Sequence, residues 1–365
     1  MAYVELHAHS AFSFLDGASL PEELVAGAVQ AGYGAMALTD HNTVSGSMEF
    51  AQAASALGLR AIHGAEVDVV DPAGPATRHL TLLVRDATGW RNLCRLLTRA
   101  HAHTRGDVPE GASPEVAELV RAHGGGFRPG GSRSPGRPPR RVLDPVLTLA
   151  DLEEHAEGLV CLSGCARRGV RDEPTMRRLL HAFGRDGFRV ELQRPFLRRD
   201  RALNRGLAAL AERLGVPCVA TGDVHAHTRA RALVQDAFVA IREHTTLDAS
   251  EPLRRGNHSH VLTTPAAMAA RFADHPDAVA ETVRLADALR FDLTHDLGYR
   301  YPGAEDDSSD RTLAEVCAAR FDHRYPPGHR LREAATARLE EELALIRSLG
   351  LSGFFLLHHD LLELA

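Results

Sequence analysis

Side chains able to bind metal recur in this chain just beyond short apolar runs that read as β-strands. His7 and His9 follow Tyr3-Val4-Glu5-Leu6, Asp40 and His41 follow Ala35 to Thr39, and Glu66 ends the run that starts at Arg60. Cys165 comes after Leu159 to Leu162, and Asp223 with His225 comes after Pro217 to Thr221. Two histidines at i and i+2 leaving an extended strand project to the same side, so both imidazoles can address one ion. Parallel strands closed into a barrel gather their carboxyl ends on one face, where residues distant in sequence can meet. One polynuclear metal site is the economical reading of the set.

Positioning such a site requires a sheet with helical returns, and the chain supplies the pattern. Strand-like runs lie near 3–7, 35–39, 60–67, 79–84, 158–162, 188–192 and 217–221, with helical patterns between most of them. Alternation of this kind predicts an α/β fold with a parallel sheet or barrel. Ser19 is expected to cap the first helix with Glu22 three residues on, and the helix should end at Gly32. Residues 104–141, rich in Arg, Pro, Gly and Ser, interrupt the rhythm and are expected to form a flexible insert. The five arginines of its run 128–141 (Arg128, Arg133, Arg137, Arg140, Arg141) either contact phosphates or form a solvated loop. The barrel is expected over residues 1–265. From 266 to 365 helical patterns take over, ending with one long helical stretch from His329 through Leu349 and on past Phe354. The sequence stops at Ala365 inside an apolar helical pattern, as expected for a fragment.

Bulk properties narrow the function classes. The 365 residues are 44% hydrophobic and 25% charged, with no apolar run near the length of a membrane span. Five cysteines, odd in number and mostly in apolar or helical surroundings, do not form a secreted disulfide framework, and no secretory signal is legible; a reduced, cytoplasmic protein is expected. A net charge of −6 excludes a wholly basic nucleic-acid clamp. With 21 histidines, no single one carries much weight, and His63, His101, His103, His227, His258 and His260 are read as surface or structural. Every basic residue other than histidine is an arginine. An amidohydrolase centre bridged by a carbamylated lysine is therefore excluded.

The order HxH, Asp16-Gly17, Thr39-Asp40-His41, Gly64-Ala65-Glu66, Leu162-Ser163-Gly164-Cys165 and Asp223-Val224-His225 resembles the polymerase-and-histidinol-phosphatase (PHP) superfamily. That resemblance implies a distorted seven-stranded β/α barrel with up to three metal ions. The opening Tyr3 to Ser10, the strand Arg78 to Leu83 and the turn Gly89 to Leu93 are similar to bacterial C-family DNA polymerases; Cys161 to Arg167 is most similar to their error-prone branch. The tail from Arg338 to Ala365 resembles the start of a polymerase palm.

Carried over, the resemblance implies metal ligands at His7, His9, Asp16, His41, Glu66, His79, Cys165, Asp223 and His225, with Asp40 behind them or as a further ligand. No expected position is visibly replaced. His79 fits least well, since it opens its strand, whereas Asp86 lies at the end expected to face the site. Imidazole and thiolate suit Zn2+, while carboxylates bridge ions and also accept Mn2+ or Mg2+. Two or three close cations, with Glu66 bridging and Asp223 and His225 at the reacting centre, would support phosphoester hydrolysis. Arg167 and Arg194 are candidates for substrate phosphate.

The expected function is the PHP domain of a repair or translesion DNA polymerase, acting as a 3′–5′ exonuclease or on pyrophosphate. The alternatives are a metal-stabilised scaffold without activity and a free-standing phosphatase of the histidinol-phosphate type. Polymerisation itself would need Mg2+, primer-template DNA and dNTPs at aspartates beyond residue 365. Sliding clamp and mutagenesis accessory proteins are the expected partners, and no membrane is involved.

Overall fold

The computed structural model describes residues 2–70, 77–104, 143–297 and 308–364. Six strands form one sheet in sequence order: β1 Ala35–Leu38, β2 Arg60–Val70, β3 Thr77–Val84, β4 Leu159–Leu162, β5 Phe188–Gln193 and β6 Cys218–Thr221. The first segment joins the two outer strands. Ala37 N donates to Glu5 O and Thr39 N to Ala8 O on one side; Val224 N donates to His7 O and His9 N to Val224 O on the other. That seam supplies the seventh stave of the expected barrel.

The sheet is not all parallel, which corrects the expectation. β3 runs antiparallel to both β2 and β4, while the other named pairs are parallel. The physical reason is connection length: six residues separate Val70 from Thr77, and a parallel return needs a dozen or more. β3 therefore presents its amino end where its neighbours present their carboxyl ends.

Helices α1 Pro21–Gln30, α2 Ser47–Leu57, α3 Ala87–His101, α4 Leu149–Glu154, α5 Glu173–Phe183 and α6 Asp200–Leu214 bury Leu24, Phe50, Leu93, Leu152, Met176 and Leu210 against one sheet face in a shared core. On the other face Ala35, Ala37, Ile62, Leu83, Val160, Leu162 and Val219 form a second cluster with Leu285, Ala286 and Leu289. Helix α7 spans Arg229–Arg242, α8 Pro265–Arg271 and α9 Pro276–Ala288. The C-terminal end of α9 thus plugs the barrel interior, and Arg60 anchors it by donating to Ala286 O and Leu289 O at 2.7 and 2.9 Å.

Two details of the first helix differ from expectation. Leu20 takes the N-cap position and Glu23 accepts from its N–H. Ser19 instead bonds His227, 2.8 Å from its Nδ1, and accepts the His227 N–H. Asp86 caps α3 by accepting from Thr88 N and Gly89 N, at the end of β3 away from the site.

The chain divides into compact units Met1–Leu297 and Gly298–Ala365, so the barrel unit extends beyond the boundary expected at 265 because α8 and α9 share its cores. The second unit contains α10 Ser308–Arg324, α11 Arg332–Ser348 and α12 Ser352–Leu364. Asp310 of α10 accepts from Ser352 and pairs with Arg347 at 3.3 Å. The expected single long helix breaks at Gly350, whose φ of 65° lies in the left-handed region glycine tolerates. Apart from Thr104, the insert expected at 104–141 lies outside the described residues. No described helix is long and apolar enough to cross a membrane.

Candidate metal centre

Alternation along the strands builds the site. Side chains two apart share a sheet face, so Ile62, Glu66 and Asp68 of β2 follow one another on the interior face, as do Leu83, Thr81 and His79 of β3. The apolar members fill the plugged end, and the polar members crowd the opposite end.

His7 and His9 are fixed in complementary ways. His7 Nδ1 donates to Glu191 Oε1 at 2.7 Å, and Glu191 also accepts from Gln193 and Thr221. His9 Nδ1 lies 3.2 Å from Ser13 Oγ, which itself donates to Asp40 Oδ1 at 2.7 Å. Both imidazoles thereby aim Nε2 at one place, with the two Nε2 atoms 3.1 Å apart. Hydrogen bonds to the far ring nitrogen commonly orient a metal-binding imidazole in this way.

Glu66 sits among four histidines. Its oxygens lie 3.4 Å from His7, 3.7 Å from His9, 3.7 Å from His41 and 3.1 Å from His79. Asp68 faces His79 Nε2 at 3.3 Å and His41 Nδ1 at 3.6 Å, and Cys165 Sγ lies 3.4 Å from His79 Nδ1. On the other side Asp223 Oδ1 is 3.7 Å from both His7 and His9 Nε2 and 3.5 Å from His225 Nδ1. Asp16 Oδ2 meets His225 Nε2 at 3.1 Å and Arg255 at 2.7 Å. Gly17 and Gly164 permit two of these approaches, since a Cβ on either would fall within 2 Å of a backbone oxygen, Ser10 O or His79 O. Asp223 takes a φ of 51°, an uncommon conformation for a non-glycine residue and one often found at functional sites.

Three groups among the described residues could each hold an ion: His7, His9 and Glu66; His9, Asp223 and His225; His41, Glu66 and His79. Glu66 and His9 each belong to two of them. The donor set fits divalent metal for two reasons. Glu66 Oε1, Asp68 Oδ1 and His79 Nε2 are buried, yet none has a partner in hydrogen-bond geometry, as expected where cations rather than hydrogen bonds satisfy polar atoms. The 3.1 Å between His7 Nε2 and His9 Nε2 also falls within the edge, about 3.0–3.4 Å, between two ligands bound at about 2.1 Å to one ion, and the 3.7 Å from His9 Nε2 to Glu66 is slightly longer than that edge.

The electrostatics agree. Burial alone would raise the carboxyl of Glu66, but His79 and His7 hold it well below its ordinary value. Burial likewise opposes ionisation of Asp223, and His225 and Arg255 overcome it. His7 is raised because Glu191 and Glu66 outweigh its burial. Burial lowers His9, with His225 acting in the same direction. Glu5, behind the pair, is pushed up to about 7 by burial although Gly222 N, Tyr3 and His7 N donate to it. Burial and Glu66 raise the Cys165 thiol, so binding metal there would require the ion itself to displace the proton.

The chain thus gathers His7, His9, Asp16, His41, Glu66, His79, Cys165, Asp223 and His225 at one end of the barrel. His79 belongs there because β3 is antiparallel. Asp40 lies behind the cluster, its carboxylate occupied by Ser10 and Ser13. Arg167 is exposed near Arg255, Asp16 and Asp223, leaving it available to an anion at the mouth. Arg194 is not: its guanidinium is buried against Phe272 and donates to Arg271 O and Asp274, which corrects its reading as a phosphate ligand.

Sequence reading missed Asp68, Arg255 and the buried His260, which lies 3.2 Å from Asp223 Oδ2 and is neither on the surface nor remote from the site. Period-two spacing from Glu66 was the available signal for Asp68. Arg255 and His260 come from an irregular stretch with no comparable signal.

Residues 5–195 match the PHP domain family. The chain belongs to that family. This PHP barrel is also similar to proteins named error-prone DNA polymerase: 35% identical over all of this chain and 32% of the protein from Symbiobacterium thermophilum, 33% identical over 99% of this chain and 34% of that from Nocardia farcinica, and 35% identical over all of this chain and 31% of that from Pseudomonas syringae pv. syringae. The chain therefore spans about a third of the length of these relatives. Among solved structures, a candidate metal-dependent phosphoesterase from Bifidobacterium adolescentis aligns over 61% of this chain and 88% of its own, at 21% identity and a TM-score of 0.42.

Proposed function

We propose that this PHP domain is part of an error-prone C-family DNA polymerase and hydrolyses phosphoesters at a metal centre of up to three ions, Zn2+ or Mn2+. The observation that carries the reading is the sharing of Glu66 and His9 among three ion-holding groups. Divalent ions in such a donor set supply Lewis acidity and make water a nucleophile near neutral pH. The chain's own residues do the rest. Glu191 and Ser13 hold His7 and His9 in the orientation that leaves Nε2 free, and Glu66 joins the two sides of the cluster. Asp223 and His225 stand at its reacting edge. Arg167 at the mouth meets the substrate phosphate. The substrate class is a DNA 3′ end, processed as a 3′–5′ exonuclease, or pyrophosphate.

In the parent polymerase, primer-template DNA and dNTPs engage parts beyond this chain with Mg2+, and sliding clamp and mutagenesis proteins bind it during repair synthesis in the cytoplasm. The helical residues that follow the barrel are read as the start of the palm. This chain alone is expected not to extend a primer.

The test is to load purified chain with Mn2+ or Zn2+ and assay single-stranded DNA, pyrophosphate and a chromogenic phosphodiester. Hydrolysis lost in Asp223→Asn with the fold intact is the expected result. A second reading, a metal-stabilised scaffold, is favoured by the burial of the donors, with His7 and His9 fully buried. Chelation that melts the protein, with no hydrolysis of any substrate, would establish that reading instead.

A further inference from the structure

Arg255 is a largely buried cation beside the cluster. Its side chain is 11% exposed, and it bridges two carboxylates, Asp16 Oδ2 at 2.7 Å and Asp223 Oδ2 at 3.4 Å. Asp223 is therefore divided: Oδ1 faces His7, His9 and His225, while Oδ2 is taken by Arg255 and His260. Glu66 and Asp68 have different company, since their close cationic partners are His7, His9, His41 and His79. The distinction matters chemically. A histidine gives up its proton to an incoming ion and becomes a ligand, whereas a guanidinium keeps its charge at any working pH and cannot ligate.

We propose that Arg255 acts as a resident cation on the Asp16–Asp223 side, making the His9–Asp223–His225 position the weakest of the three, the last to fill and the first to empty. The inference rests on the metal-centre reading above. A dication bound to Asp223 Oδ1 must share that carboxylate with a fixed positive charge, and Asp16 is held by the same guanidinium. The ions around Glu66 face no such competitor among the contacts described. Arg255 is thus a positioning residue that grades the occupancy of the centre, and the graded ion is the one next to the exposed Arg167, where substrate phosphate would arrive.

The experiment titrates the chelator-stripped 365-residue chain with Zn2+ against a chromophoric competitor and counts retained metal after dialysis. Wild type is expected to show two tight ions and a third bound at least tenfold more weakly. Arg255→Gln should tighten the third at least tenfold and leave the first two unchanged, while Arg255→Lys should behave like wild type. In Arg255→Ala, added guanidinium ion should weaken the third position again. Three ions of equal affinity in wild type overturn the proposal, whether or not any variant folds. So does a third position that is unchanged or weaker in a folded Arg255→Gln protein. A wild-type chain that retains no ion overturns the metal-centre reading itself and this inference with it.

Discussion

The two ends of the barrel interior are made by the same strands and obey opposite rules. At the plugged end Ile62, Leu83, Val160, Leu162 and Val219 meet the last turn of α9 in a dry, close-packed cluster. A few residues along the same faces, Glu66 and Asp68 crowd His79 at 3.1 and 3.3 Å and Asp223 stands 3.5 Å from His225, and Glu66, Asp68 and His79 each keep a buried polar atom without a hydrogen-bond partner. Burying polar atoms unpaired costs free energy that the apolar end must offset. One end supplies stability, and the other uses it to hold charges where an ion can bind.

That division predicts opposite consequences for substitutions at the two ends. His9→Gln removes a donor shared by two of the three groups, and the hydrolysis rate should fall about a thousandfold, about 4 kcal/mol of barrel-end chemistry. The melting temperature of the chelator-stripped protein should move little. Leu83→Ala at the plugged end should show the reverse, a loss of about 3 kcal/mol in denaturant unfolding with hydrolysis per folded molecule unchanged. If both variants lose both properties, the two ends are not separable.

Metal itself sharpens the contrast. Each zinc ion at a hundredfold excess over its own dissociation constant should stabilise the folded chain by about 2.7 kcal/mol, read for a unit of this size as a rise in melting temperature of about 4 °C per ion. Leu83→Ala should show the same increment from a lower starting point, since the two effects arise at opposite ends. An increment that vanishes in Leu83→Ala would mean that the cluster and the plug fold as one interdependent unit.

How much of this was legible before the structure depended on whether a residue follows strand periodicity. The HxH pair, Glu66, Cys165 and the Asp223–His225 pair were readable because each follows an apolar run. His79 looked misplaced for the same reason. Only the reversal of β3 puts the start of that strand at the metal end, and the short connection after Val70 held the clue. Asp68 was hidden because β2 was read as ending near residue 67, whereas it runs to Val70. Arg255 and His260 had no legible signal: they reach the site from an irregular stretch positioned by contacts such as His225 N to His260 O. Arg194 shows the opposite failure, a residue next to the right strand whose guanidinium is committed to a neighbouring helix end.

The smallest expected effect belongs to a histidine outside the metal cluster. His63 lies on the outer face of β2 among Phe50, Trp90 and Phe291, with ring centroids 6.0–6.3 Å away and neither ring nitrogen hydrogen-bonded. Burial lowers its pKa to about 4, from an unfolded value near 6.5. The unfolded chain therefore takes up a proton near pH 6.5 that the folded chain refuses until about pH 4, so this contribution to stability is complete above pH 6.5 and is lost as the pH falls toward 4. Between pH 7 and pH 5 the loss is about 2 kcal/mol, from 1.36 kcal/mol per unit. His63→Phe, which keeps a ring in the aromatic pocket and removes the titration, should lose that much less over the same interval when both proteins are unfolded by urea with chelator present. Equal pH slopes in the two proteins would show that His63 stays neutral for a reason other than its burial, or that the acid sensitivity of this fold lies wholly at its charged end.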